Sequence, residues 1–77
     1  MIFLIEYDRD QGEIVLMREF GESEKQNADT ARLDLELQLN LHRIEHEVVL
    51  LEARNETALR QTHRRYFENL SELVKPS

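Results

Sequence analysis

Two clusters of side chains in this 77-residue chain have types and spacings that chemistry can use. The first is HRIEH, residues 42–46. It sets two imidazoles four positions apart with a glutamate beside the second. On a continuous helix, that spacing puts both imidazoles on one face, as zinc-assisted hydrolysis requires. The helix would have to run unbroken through His46, and a third ligand would have to follow. The helical pattern instead gives way to a strand pattern inside this span, and the chain is too short to build a substrate cleft around it. His42 and His46 are therefore read as polar residues at a helix–strand junction. No metal or other cofactor is expected.

The second cluster is THRRYF, residues 62–67, with Arg60 just before it. On a helix, Arg60 and Arg64 lie one turn apart on an outer flank, and His63 falls at the margin of the apolar stripe beside Tyr66. Arg60, His63 and Arg64 form the candidate ligand-binding group, suited to a phosphate or carboxylate. A plainer use of the same residues competes with it. Arg60 and Arg64 are spaced to pair with Glu56 and Glu68, and Tyr66 suits a core position with its hydroxyl at the rim. Catalysis asks for a nucleophile with its base, or for two convergent carboxylates. Only Glu52 with His63 and Tyr66 comes near, because the strand carrying Glu52 leads directly into this helix. The two glycines, Gly12 and Gly21, make no phosphate loop. No catalytic residue is assigned, and the chain is not read as an enzyme.

The elements that must position these groups follow from pattern. IFLIEY, residues 2–7, is rich in β-branched and aromatic residues and reads as a strand. EIVLMREF, residues 13–20, reads as a second, joined to the first by DRDQG as a hairpin with Gly12 at the left-handed position. Residues 24–42 read as a helix, opened by a capping box between Ser23 and Gln26 and braced by an Arg32–Glu36 pair. Residues 46–53 form a third strand, and Asn55 caps a second helix that runs until Pro76. The order ββαβα with a right-handed crossover gives sheet order 2-1-3, with strands 2 and 3 parallel to one another. The fold expected is α+β: a two-layer sandwich, three strands with two helices packed on them. One domain spans residues 1–74, followed by a frayed tail at 75–77.

RLDLELQLNL, residues 32–41, complicates this picture. Leucine at every second position has the period of a strand, yet Leu, Glu, Gln and Arg favour a helix. Wound at about 100° per residue, Ala28, Ala31, Leu35 and Leu39 share one face, while Leu33, Leu37, Leu41 and Ile44 gather on the opposite one. A surface helix needs only one apolar stripe. Four large aliphatics on its back, each worth roughly 1.5–3 kcal/mol on full burial, form a surplus that something must cover. The first strand is also apolar on both faces, so two helices on one face would leave the other bare. The expected solution is a homodimer, with the helix stripe Leu33, Leu37, Leu41 and Ile44, or the open sheet face, as the seam. Two alternatives remain: the second helix crosses to the other sheet face in a monomer, or residues 32–41 form a fourth strand.

Composition agrees with an interaction domain. A net charge of −6 disfavours general attraction to nucleic acid or anionic lipid. With 40% hydrophobic residues the chain has enough apolar content to fold, but at this length it buries only about 60% of its unfolded surface. There is no cysteine to staple it. The apolar run MIFLI is too short for a signal or a span. The expectation is a cytoplasmic, acidic, self-associating domain, with an unidentified protein partner possible in addition, and no membrane. Binding of an anion or nucleic acid through Arg60, His63 and Arg64 is the alternative.

Overall fold

The computed structural model describes residues 1–68. A three-stranded antiparallel sheet is built from β1 (Ile2–Asp8), β2 (Glu13–Phe20) and β3 (Glu47–Glu52) in the order β2-β1-β3. Both neighbours run antiparallel to β1 and hence parallel to each other. Helix α1 (Lys25–Leu41) lies between β2 and β3, and α2 (Glu56–Thr62) follows β3. The α+β class, the strand order and the two helices are those the sequence implies.

Central β1 explains the sheet's stability. Ile2 through Tyr7 are all buried. Phe3, Ile5 and Tyr7 face one way and pack with Leu59 and Tyr66. Ile2 and Leu4 face the other way and pack with Phe20 and Ala28, against Ala31 and Leu35. The helices therefore cover opposite faces. The sandwich has three layers where two were expected, and among the described residues each sheet face carries a packed cluster, which removes the open face proposed as a seam. The cause is β1 itself: with apolar residues at every position but Glu6 and the terminal Asp8, it demands cover on both sides.

Local chemistry sets the turns. Gly12 has φ 67°, the left-handed conformation expected of it, and its N–H reaches the Asp8 carbonyl at 2.8 Å. A bulge follows: Glu6 pairs with Leu16 and Tyr7 with Ile14, leaving Val15 unpaired and 54% exposed. The start of α1 differs from expectation. The Glu24 carboxylate accepts from the Gly21 N–H at 2.9 Å across a short 3-10 turn (Glu22–Glu24), and no capping box forms between Ser23 and Gln26. Asn55 caps α2 as expected, its Oδ1 accepting from Ala58 N–H at 2.8 Å.

Helix α2 is shorter than expected. It ends at Thr62, where His63 (φ −123°, ψ 52°) breaks the helical path, and a 3-10 turn, Arg64–Tyr66, follows. That kink lets Tyr66 turn into the core while Thr62 stays exposed. The rest of the helix expected to run until Pro76, and the domain end near residue 74, lie outside the described residues. Among the described residues, no helix is long and apolar enough to cross a membrane.

Candidate functional site

The outer face of α1 is the most unusual surface of the described chain. Leu39 and Ala28 are buried toward the sheet, with Ala31 and Leu35 half-buried beside them. On the far side Leu33, Leu37 and Leu41 are 58%, 53% and 67% exposed, and Ile44 beyond the helix is 42% exposed. The leucine alternation has thus become a helix that is apolar front and back. The fourth-strand alternative for residues 32–41 is absent from the structure.

The stripe has the form of a helix-packing surface. Leu33, Leu37 and Leu41 are spaced by four and make one continuous ridge of the kind that interleaves with a like ridge. Beside it, Thr30, Leu33, Asp34 and Leu37 surround a shallow depression of about 300 Å³. These positions, i, i+3, i+4 and i+7, form the four-cornered hole into which a facing helix inserts a side chain. Acidic residues flank the ridge, with Asp34 on one side and Asp29 and Glu36 on the other, and Glu36 is held by Arg32 at 2.9 Å.

The Arg/His group is arranged differently from expectation. Arg60 Nε meets Glu56 at 3.0 Å, and its guanidinium stacks over Phe67 at 4.6 Å. Arg64 Nε faces Glu68 at 3.3 Å. Both guanidinium groups already hold carboxylates at the helical spacing anticipated for them. The break at His63 removes the common helical flank that was to align Arg60 with Arg64.

Glu52 does not join His63 and Tyr66. Along β3 the even positions face α1, as Val48 and Leu50 do, whereas Tyr66 packs on the opposite face. The carboxylate that meets Tyr66 is Glu47, at the other end of the strand and on the other face. Glu47 accepts from the Tyr66 hydroxyl through a short hydrogen bond, from Arg65 Nη2 at 2.8 Å and from Arg9 Nε at 3.0 Å. Tyr66 is further fixed edge-on to Tyr7, with ring centroids 5.1 Å apart. The alternation of EVVLLE was enough to distinguish the faces of Glu47 and Glu52; the kink at His63 that delivers Tyr66 had no sequence signal.

This clasp ties the chain after α2 to the sheet, and its charges are shifted accordingly. The Tyr66 hydroxyl holds the Glu47 carboxyl below the usual 4.5, against the opposing effect of burial and with help from Arg9 and Arg65. Burial, then the Glu47 carboxylate, pushes the Tyr66 phenol above its usual 10.0. A lowered carboxyl contributes stability that is present above 4.5 and lost as pH falls below it. A raised phenol contributes stability that is present below 10.0 and lost as pH climbs through its higher value. The clasp is therefore expected to be intact between these limits and to fail outside them. Glu47→Gln is expected to cost about 1 kcal/mol at pH 7 and to flatten the acid limb, as read by urea unfolding at pH 3.5 and 7.

His46, read as merely polar, has a structural partner that sequence did not reveal. Its Nδ1 lies 2.6 Å from Glu6, a residue only 7% exposed in central β1, and its Nε2 lies 3.5 Å from Asp8. His42 ends α1 and Arg43 turns left-handed (φ 56°), so the two histidines of HRIEH do not share a helix. Among the described residues, no group of histidine, cysteine and acidic side chains is placed to hold a metal ion.

Comparison with known protein families, with characterised proteins and with solved structures finds no match to this chain.

Proposed function

We propose that this chain is a non-enzymatic self-associating domain whose outer α1 stripe, Leu33, Leu37, Leu41 and Ile44, packs on the same stripe of a second copy. The observation that carries this reading is the exposure of Leu33, Leu37 and Leu41 on a helix whose other face already fills the core, with Ile44 exposed just beyond the helix end. The depression among Thr30, Leu33, Asp34 and Leu37 supports a helix as the covering element.

The energetics fit a weak, concentration-dependent association. Each side chain is about half exposed, so it retains about half of the roughly 1.5–3 kcal/mol of full burial. Eight such side chains in a symmetric pair supply about 6–12 kcal/mol, against an association cost of roughly 4–15 kcal/mol. The two sums nearly cancel, and the acidic flanks Asp29 and Asp34 of two copies add no attraction. Association is then expected at tens to hundreds of micromolar rather than nanomolar concentration.

Leu37 sits at the middle of the ridge and supports nothing in its own core. Leu37→Asp is expected to lower the mass measured by light scattering at about 200 µM while leaving the circular dichroism spectrum unchanged. Unchanged mass would remove the stripe as an interface. The alternative, anion or nucleic-acid binding through Arg60, His63 and Arg64, has weaker support because both guanidinium groups are already satisfied by carboxylates.

A further inference from the structure

A second surface, independent of the α1 stripe, carries its own partner. In the β2-β1-β3 order both outer strands are edges, and the two edges are built differently. β2 carries a bulge at Val15 and the charged residues Glu13, Arg18 and Glu19. Bulges and charges of this kind discourage strand addition. β3 reads EVVLLE: four apolar residues in unbroken register with β1, without proline, lysine or bulge, and with charge only at its ends.

The hydrogen-bond pattern identifies which groups of β3 point outward. Ala53 N–H donates to the Met1 carbonyl at 3.0 Å and the Met1 amino group donates to the Ala53 carbonyl at 2.9 Å, a closely bonded antiparallel pair. Such pairs alternate along a ladder, so Phe3 with Leu51, Ile5 with Val49, and Tyr7 with Glu47 are bonded pairs too. The N–H and C=O groups of Val48, Leu50 and Glu52 must then face away from β1. Among the described residues, no strand pairs with that edge.

We infer that the open edge of β3 pairs antiparallel with β3 of a second copy, about a two-fold axis at Val49, to make a continuous six-stranded sheet. Sheet parity restricts the choice, because directly opposed residues must lie on the same face. With the axis at Val49, Val48 opposes the second copy's Leu50, both on the α1 face and both with outward backbone groups. Those two pairs exchange four backbone hydrogen bonds. Glu47 opposes Leu51, and Glu52 opposes His46, so no two like charges meet. An in-line pairing of the strand ends would have set Glu47 against Glu52 and mixed the faces. Above this junction, α1 rests on β1 and β3. Strands about 4.8 Å apart bring the two α1 helices to about 10 Å, an ordinary packing distance, and leave their outer stripes free.

The chain has no cysteine, which permits a direct test. Val49→Cys places two thiols across a non-bonded antiparallel pair, where the Cα separation of about 4.5 Å allows a disulfide. Under mild oxidation it is expected to give a covalent dimer in high yield, while Val15→Cys, on the blunted edge, forms no covalent dimer. In a Leu37→Asp background, the chain is expected to keep some concentration-dependent dimerisation at the upper end of a sedimentation-equilibrium range of about 5 to 500 µM. Adding Val48→Pro, which removes one outward N–H without touching the β1 ladder, is expected to make it monomeric with its helix signal retained. Failure of Val49→Cys to cross-link overturns the inference. The two interfaces fail distinguishably: if only the stripe is wrong, Leu37→Asp leaves the mass of the unmodified chain unchanged and Val48→Pro still lowers it.

Discussion

Truncating Leu4 to alanine is expected to leave the chain largely unfolded at 37 °C. Leu4 is 1% exposed at the centre of the central strand, and it packs with Ile2, Phe20 and Ala28 beneath α1. Its neighbours are held in a ladder on both sides, with Arg18 of β2 and Leu50 of β3 as its partners, so the site has little freedom to collapse around the void. A cost of about 3–5 kcal/mol follows for a rigidly framed leucine. A domain this small has a total stability near the bottom of the usual range, about 5 kcal/mol, so the loss is most of what it has. Thermal unfolding followed at 222 nm reads the effect. Leu33→Ala, on the exposed face of α1, serves as the contrast: the same chemical change there is expected to cost under about 0.5 kcal/mol in the dissociated chain.

The second large effect belongs to His46. Glu6 carries a carboxylate on the α1 face of the central strand, 7% exposed, and His46 Nδ1 at 2.6 Å is its hydrogen-bond partner. Removing the imidazole leaves that carboxylate facing an apolar layer with Asp8 nearby. His46→Ala is expected to cost about 2–3 kcal/mol, below the roughly 3–5 kcal/mol of a fully buried broken pair because the imidazole is partly open to solvent. Glu6→Leu in the same chain is expected to restore most of it, since the double variant replaces the pair with apolar contact to Val48, which lies opposite position 6. Urea unfolding of the four chains of that cycle measures the coupling. A cost of His46→Ala that is unchanged in the Glu6→Leu background would show that the histidine acts through something else.

Much of the fold could be read from residue order because each element carries its own signal. The β-branched runs of β1 and β3, Gly12 in the hairpin and Asn55 before α2 all act within a few residues of themselves. Sheet order 2-1-3 followed from connection rules alone. What escaped notice depends on contacts between distant segments. The side of the sheet taken by α2 is decided by Leu59 and Tyr66 meeting Phe3, Ile5 and Tyr7, some fifty or more residues away in sequence. The kink at His63 has no glycine or proline to announce it. The Glu6–His46 pair spans forty positions. Glu47, rather than Glu52, gathers Tyr66, Arg65 and Arg9 because strand parity and that kink act together. By contrast the outward turn of Leu33, Leu37 and Leu41 was legible, because a helical period over residues 25–41 fixes it; Ile44, assigned to the same stripe, lies past the helix end and the left-handed Arg43.

The outward leucines make the oligomeric state of the unmodified chain the most direct test. Sedimentation equilibrium from about 5 to 500 µM should show a weight-average mass that starts near 9.2 kDa and climbs to twice that or beyond, with the climb curtailed in Leu37→Asp. A mass fixed at 9.2 kDa across the whole range, identical in both chains, would contradict self-association through this helix.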